Sequence, residues 1–194
     1  MSERKAKIER TTTETDIRIE LNLDGSGTYS IDTGVGFLDH MLAHLSKHSG
    51  IDLQISAKGD YQIDDHHTVE DIAICLGNAL TEALGDKRGI CRYGSASVPM
   101  EDALANVAVD ICGRPFIVYN VNYIRPKVGT FDVELVEEFL RSLANFAKIN
   151  LHINVPYGTN SHHIAEAIFK SFGQALGNAL KVSGSDIPST KGVL

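Results

Sequence analysis

The chain repeats one pattern of apolar residues, in two segments whose first histidines are residues 66 and 162. In each segment, apolar residues recur at the i, i+3 and i+4 spacing of a helix with one buried face. Gly77 of the first segment recurs as Gly173 of the second. The matching apolar positions are Val69, Ile72, Ala73, Leu76, Ala79, Leu80, Ala83 and Leu84, and then Ala165, Ile168, Phe169, Phe172, Ala175, Leu176, Ala179 and Leu180. Two long helices in the same register indicate an internal duplication.

Shorter elements are predicted ahead of the first of these helices. Alternating apolar residues predict a strand over residues 17–23 that turns at a Gly-rich tetrapeptide and pairs with a short strand over residues 28–31. A helix is predicted over residues 37–48, and two further strands over residues 51–57 and 61–63. The first half therefore has the predicted order β-β-α-β-β-α.

The second half repeats this order. A strand is predicted over residues 106–111 with a partner over residues 116–123, followed by an amphipathic helix over residues 132–147 and a strand over residues 149–155. We therefore predict an α+β fold in which each half is a four-stranded sheet backed by two helices. The helices of the two halves should pack inward against each other, because each sheet presents one apolar face.

The division into repeats follows from the duplication. Residues 1–92 form the first predicted α+β repeat, and residues 93–194 form the second, which includes a short C-terminal tail. No Pro- or Gly-rich linker separates the halves, so we expect them to form one compact unit.

Composition narrows the class of protein. Of the 194 residues, 43% are hydrophobic and 22% are charged, as in an ordinary globular domain. No apolar stretch has the length of a membrane span and the N-terminus lacks a signal peptide, so we expect a cytoplasmic protein with no membrane partner. The net charge of −7 argues against nucleic acid as a partner. Cys75, Cys91 and Cys112 are an odd number of widely spaced thiols, which we expect to be free and buried.

Both duplicated helices begin with a His-His-x-x-Glu motif whose spacing suits metal binding. Residues four apart lie on one helix face, whereas adjacent residues diverge by about 100°. His66 and Glu70 are therefore predicted to bind one metal ion, while His67 points toward a different one. Imidazole and carboxylate donors without a thiolate favour manganese, iron or zinc. With the second copy, the candidate ligands are His66, His67, Glu70, His162, His163 and Glu166.

Alignment of the two halves adds two candidate ligands, because it places His40 opposite Glu138 on the first helix of each repeat. The motif histidines diverge in direction, so metal ions that bridge neighbouring subunits are favoured over sites within one chain. Glu138 either coordinates a metal, directly or through a water, or points to solvent.

Lys170 breaks the symmetry between the halves. It lies four residues after Glu166, on the metal-facing side of its helix, and its counterpart in the first half is the apolar Ile74. A lysine on the ligand face of only one copy indicates a specific contact with an anion. The alternative is a solvated surface lysine.

Six short motifs stand at separate places in the chain. They are Arg10-Thr11-Thr12-Thr13-Glu14-Thr15, Phe37-Leu38-Asp39-His40-Met41-Leu42, Asp64-Asp65-His66-His67-Thr68-Val69-Glu70-Asp71, Gly113-Arg114-Pro115, Ser161-His162-His163 with Glu166, and Ser189-Thr190-Lys191-Gly192. Together they closely resemble the signatures of the imidazoleglycerol-phosphate dehydratase family, lyases of histidine biosynthesis. The resemblance extends over essentially the whole chain.

The resemblance implies two similar α+β halves and a large homo-oligomer, expected as a 24-mer, with active sites between subunits. It also implies two manganese ions per active site, with other divalent metals as alternatives. By position, the implied metal ligands are His40, His66, His67, Glu70, His162, His163 and Glu166. The implied contacts of the substrate phosphate are Arg92, Arg114, Lys170, Ser189 and Lys191, and Glu14 matches the family's acid/base glutamate.

Two positions depart from the family pattern. Glu138 stands where many members have a liganding histidine, and His44 stands where some have a glutamine near the phosphate. The implied reaction removes water from D-erythro-imidazole-glycerol phosphate to give imidazole-acetol phosphate, and Glu14 would move the carbon-bound proton. A dinuclear metallohydrolase and a non-catalytic metal-bridged assembly would use the same ligand types, so both remain alternatives.

Overall fold

Alternation of apolar and polar residues gives each of two sheets one buried face. The computed structural model describes residues 3–194, and its first sheet has the strand order β1-β2-β4-β3. Its strands are β1 (Lys5–Thr11), β2 (Asp16–Asn22), β3 (Tyr29–Asp32) and β4 (Asp52–Lys58). The buried side chains of β2 and β4, such as Ile19 and Ile55, face the helices.

The second sheet repeats this topology in the order β5-β6-β10-β7. Its strands are β5 (Tyr93–Met100), β6 (Ala103–Asp110), β7 (Phe116–Asn120) and β10 (Asn150–Tyr157), and a separate small hairpin consists of β8 (Lys127–Val128) and β9 (Phe131–Asp132). Two four-stranded sheets confirm the predicted α+β class.

Four helices join the two sheets into one core. They are α1 (Gly36–Ser49), α2 (His66–Leu84), α3 (Glu134–Ala147) and α4 (Ser161–Leu180). Helices α1 and α2 contact the first sheet, and α3 and α4 contact the second. Helix α2 also packs on α3, and α1 packs on α4, so the helices face inward as predicted and each half buries its helices against the other half.

The glycine that recurs in the duplication lies at each of these helix crossings. A Cβ atom built on Gly77 would lie 2.7 Å from Phe146 Cβ and 2.8 Å from the backbone nitrogen of Ala147, both on α3. A Cβ atom built on Gly173 would lie 3.1 Å from the carbonyl oxygen of Leu45 and 3.0 Å from His48 Cβ, both on α1. The missing side chain therefore lets each long helix approach its partner closely.

The strand pairing differs from the sequence-based expectation. Strand β3 was expected to form a hairpin with β2, but it pairs in parallel with β4. The reason lies at Asp52, whose Oδ1 accepts the backbone N–H groups of Ser26 and Thr28, each at 2.9 Å. These bonds hold the connection before β3 against the start of β4, and α1 then serves as the crossover that a parallel pair requires.

The second half shows the same difference. Strand β7 was expected to pair with β6, but it pairs in parallel with β10, and α3 provides the crossover. The predicted strand over residues 61–63 is a turn, closed by the backbone bond from Ile63 N–H to the Asp60 carbonyl at 2.8 Å. The observed order in each half is therefore β-β-β-α-β-α, and the predicted β-β-α-β-β-α is wrong.

Strands β1 and β5 supply the fourth strand of each sheet, and the sequence pattern did not predict them. Each is an edge strand in the observed order. In β1 only Ala6 is buried, and β5 alternates between exposed and half-buried residues without one fully buried side chain. An edge strand with so little apolar surface carries a weak signal of alternation.

Two expectations drawn from composition can be compared with the structure. Cys75 and Cys112 are buried free thiols as expected, whereas Cys91 is free but only partly buried. None of the helices that the structure describes has the length and hydropathy needed to span a bilayer.

The close approach at Gly77 predicts a selective loss of stability. We expect Gly77→Leu to lower the free energy of unfolding by about 1–3 kcal/mol, because the new side chain would overpack the α2–α3 crossing. Asn78→Leu is the matched control, since Asn78 is the next residue of the same helix and is exposed. Urea unfolding of both variants at one protein concentration provides the measurement. Equal midpoints would contradict the close packing.

Candidate active site

Three potential metal donors converge where α1 meets α4. His40 Nε2 lies 3.0 Å from Glu166 Oε1, and His162 Nε2 lies 2.8 Å from the same oxygen. One ligand atom from each of the three residues lies within 4.8 Å of the others. We call His40, His162 and Glu166 the Glu166 cluster. It joins the predicted pair on α4 with the predicted ligand on α1.

Local packing holds the two imidazole rings of this cluster. The Asn160 side chain caps α4 by accepting the backbone N–H of His162 at 2.9 Å. The centroid of the Phe37 ring lies 5.1 Å from that of the His162 ring, in an edge-on contact, and 5.2 Å from that of the Phe131 ring. The close α1–α4 crossing brings His40 to the same place. The cluster is therefore built by tertiary contacts between the halves.

Lys170 neutralises the carboxylate of the cluster. Its Nζ lies 2.5 Å from Glu166 Oε2, and its side chain is only 17% exposed, so Lys170 is not a solvated surface lysine. Burial alone would raise the pKa of Glu166, but hydrogen bonds from Lys170, His40 and His162 outweigh burial and lower the pKa to about 2. An ionised carboxylate with two imidazole nitrogens is a donor set that suits zinc, manganese or iron.

His44 continues the row of histidines on α1. Its Nε2 lies 3.3 Å from His40 Nε2 and 3.5 Å from Glu166 Oε2. Burial, followed by the neighbouring His40, lowers the pKa of His44 to about 4. At neutral pH His44 is therefore an uncharged imidazole at the edge of the cluster.

The second histidine of each motif faces a different carboxylate. His67 Nδ1 lies 3.0 Å from Asp60 Oδ2, and His163 Nδ1 lies 2.6 Å from Asp102 Oδ1. The hydroxyl of Thr159 and then His163 hydrogen-bond to Asp102 and hold the pKa of its carboxyl below the usual range. Adjacent histidines point apart, as the helix geometry predicts.

The remaining candidate ligands are not gathered within one chain. In residues 3–194, the Glu166 cluster is the one group of three or more His, Cys, Asp or Glu donors close enough to share a metal ion. His66, His67, Glu70 and His163 lie outside it. Glu138 also lies outside the cluster, and its Oε1 accepts the Ser142 hydroxyl at 3.1 Å.

Glu14 lies on the turn between β1 and β2, beside His67. Its Oε1 is 3.9 Å from His67 Nε2. The turn is attached to α2 by the buried Asp71, which accepts the Thr15 hydroxyl at 2.6 Å and the Arg10 Nε–H at 3.1 Å. Sequence reasoning missed this role of Asp71, although it closes the quoted His-His motif four residues after His67.

The candidate phosphate contacts fall into two groups. Lys170 belongs to the Glu166 cluster, whereas Arg92 lies at the other end of α4, where its backbone N–H donates to Ala179 at 2.9 Å. Ala179 is about 20 Å from Glu166 along the helix axis at 1.5 Å per residue. Arg92 Nη1 also donates to the carbonyl of Pro188 at 2.9 Å, which places the C-terminal tail there.

The other members of this distant group lie near that end. Gly113 is next to the chain terminus, since a Cβ atom built on it would lie 3.0 Å from the carbonyl carbon of Leu194. Arg114 follows Gly113 and is exposed, and the tail carries Ser189 and the exposed Lys191. One chain therefore does not bring Arg92, Arg114, Ser189 and Lys191 to the Glu166 cluster.

Comparison with known proteins identifies the family. The family model for imidazoleglycerol-phosphate dehydratase matches residues 33–176, which include α1, α2, most of α4 and the Glu166 cluster. The chain belongs to the imidazoleglycerol-phosphate dehydratase family. The resemblance seen in the six motifs is thereby confirmed.

Relatives of this family match along nearly the full length. The imidazoleglycerol-phosphate dehydratase of Desulforudis audaxviator is 57% identical over 192 residues, which cover 98% of each chain. That of Oceanobacillus iheyensis is 53% identical over 193 residues, or 98% of this chain and 100% of the relative. With such relatives, the chain is an enzyme of the dehydratase class.

Solved structures of imidazoleglycerol-phosphate dehydratases share the fold. The enzyme from Staphylococcus aureus superposes with a TM-score of 0.85 at 45% identity, covering 92% of this chain and 99% of the other. The enzyme from Pyrococcus furiosus, in complex with (S)-C348, gives a TM-score of 0.84 at 41% identity and covers 96% and 100% of the two chains. The duplicated α+β fold is thus the fold of the family.

The Glu166 cluster predicts a loss of metal on removal of its charge. We expect Glu166→Gln to weaken the binding of a divalent metal, with manganese as the probe, at least about tenfold, because residues that only hydrogen-bond to metal ligands typically contribute 10–100-fold. Glu137→Gln is the control, since Glu137 pairs with Arg141 on α3. Calorimetric titration of metal-free protein measures both variants. Unchanged affinity in Glu166→Gln would remove Glu166 from the ligand set.

Proposed function

We propose that this enzyme dehydrates D-erythro-imidazole-glycerol phosphate to imidazole-acetol phosphate in histidine biosynthesis, in the cytoplasm, and depends on manganese. The observation that carries the proposal is the Glu166 cluster with Lys170 beside it, in a chain whose relatives bear the name of that dehydratase. Two imidazoles and one ionised carboxylate form a metal site, and the adjacent ammonium group favours an anionic substrate.

The ligands divide into two sets. The Glu166 cluster would hold one manganese ion, and His66, His67, Glu70 and His163 would complete the sites from neighbouring copies of the chain. Glu138 remains a candidate ligand, directly or through a water. When bound, the two ions would supply Lewis-acid chemistry at the imidazole ring and hydroxyl groups of the substrate.

Glu14 is the proposed acid/base. Its Oε1 lies 3.9 Å from His67 Nε2, so a substrate bound beside His67 would lie within reach of this oxygen. The oxygen would accept the carbon-bound proton and return it to the departing hydroxyl group, which leaves as water, and the enol that remains would tautomerise to the ketone. Such acid/base catalysis typically contributes 10²–10⁴-fold to the rate. The attachment to Asp71 limits the movement of the turn that carries Glu14.

The phosphate group would be bound by residues from more than one chain. Lys170 supplies a cation next to the Glu166 cluster, and the neutral His44 supplies a hydrogen-bonding group there. The remaining contacts lie about 20 Å away along α4 in the same chain, so they would serve the site of a neighbouring copy. These contacts are Arg92, Arg114, Ser189 and Lys191. We therefore propose active sites between subunits of a large homo-oligomer, expected as a 24-mer.

The deciding experiment assays dehydration with and without manganese. We expect chelated protein to lose both activity and particle size by light scattering, and added manganese to restore both, because the proposed ions join subunits. Hydrolysis of a phosphate ester in place of dehydration would favour a metallohydrolase. Metal-dependent assembly without turnover would favour a non-catalytic role.

Glu14→Gln tests the acid/base separately from binding. We expect turnover to fall by roughly 10²–10⁴-fold while substrate and metal still bind, because the amide keeps the shape of the side chain and loses its proton chemistry. Glu9→Gln on the same hairpin is the control, as Glu9 is exposed and pairs with Lys7. A kcat close to that of the unmodified enzyme would exclude Glu14 from the mechanism.

A further inference from the structure

The second histidine of each motif, His67 or His163, contacts an aspartate that lies outside its own helix. Asp60 lies between β4 and α2 and contacts His67, whereas Asp102 lies on the turn between β5 and β6 and contacts His163. The two aspartates therefore occupy different places in the repeat, and the duplication does not account for them. The two halves reach the same contact with different residues.

The chemistry of this contact sets the proton on each ring. An ionised carboxylate only accepts hydrogen bonds, so Nδ1 of the neutral imidazole must carry the hydrogen and Nε2 keeps its lone pair. We propose that Asp60 and Asp102 are positioning residues that fix the tautomers in which His67 and His163 present Nε2 to a metal ion. The inference rests on the proposed function, which makes these histidines metal ligands.

The two aspartates differ in how firmly they are oriented. Asp102 Oδ2 accepts the backbone N–H of Thr159 at 2.6 Å, the Thr159 hydroxyl at 2.6 Å and the backbone N–H of Asn160 at 3.0 Å. In contrast, Asp60 Oδ1 is buried and has no hydrogen-bond partner among the described residues. An amide at position 102 would therefore have one preferred orientation, with its oxygen toward these three donors, whereas no donor imposes an orientation on an amide at position 60.

This difference predicts opposite outcomes for one conservative substitution. In Asp102→Asn, the three donors on Thr159 and Asn160 continue to bind the side-chain oxygen, so the NH₂ group of the new amide faces His163. Nδ1 of that ring must then accept, the ring hydrogen moves to Nε2, and the metal-binding lone pair is blocked. In Asp60→Asn, the amide oxygen remains free to face His67, and the metal-binding tautomer is kept.

The test has one readout without metal and one with it. In metal-free protein labelled with ¹⁵N-histidine, we expect the imidazole nitrogen shifts to report the Nδ1–H tautomer for His163 in the unmodified chain and the Nε2–H tautomer in Asp102→Asn. By calorimetry, Asp102→Asn should weaken manganese binding about 10–100-fold, the usual cost of losing a residue that orients a metal-bound histidine. Asp60→Asn should cost clearly less than Asp60→Ala.

Thr159→Val is the control for damage to the loop. It removes the Thr159 hydroxyl bond to Asp102 and leaves the contact with His163, so the tautomer should not change. An unchanged His163 tautomer in Asp102→Asn, or equal losses of affinity in the two Asn variants, would overturn the inference. Absence of metal binding by the unmodified chain would instead contradict the proposed function, and the nitrogen shifts would still decide the tautomers.

Discussion

The candidate site depends on the hydrogen bonds made by the buried carboxylate of Glu166. Its side chain is 8% exposed, and a buried charge is tolerated only when it is paired and hydrogen-bonded. Its partners come from both halves, since His40 lies on α1 and His162 and Lys170 lie on α4. The carboxylate therefore requires the α1–α4 crossing, and that crossing in turn requires the small residue at Gly173.

The duplication supplied two similar scaffolds but not two equal sites. The motif histidines and glutamates are repeated, whereas Lys170 is matched by Ile74 and His40 by Glu138. Among the described residues, only the second half's motif takes part in a three-donor group, and it does so with His40 from the first half. A complete site with the first half's ligands therefore draws on neighbouring copies in the proposed assembly, which is how the motif spacing was interpreted.

Helices and metal motifs could be predicted from the chain because their signals are local. An apolar stripe over a long helix and a pair of ligands four residues apart are visible without tertiary contacts. Strand pairing could not be predicted in this way, because the partner of β3 is decided by Asp52 and a crossover helix. The roles of Asp71 and Asp102 were also missed, since their contacts join residues that are distant in the chain. Asp60 lies only seven residues before His67, but the turn that brings the two together was predicted as a strand.

The attachment of Asp71 to Thr15 and Arg10 has a consequence for redesign. His67 and Asp71 lie one turn apart on α2, so any shift of this helix carries the proposed base Glu14 and the proposed metal ligand His67 together. The distance between Glu14 and His67 therefore changes little when the core beneath α2 is repacked. An engineer who wishes to move the base relative to the metal must alter the length or sequence of the Thr12–Thr15 turn, because substitutions within α2 translate both groups as one piece.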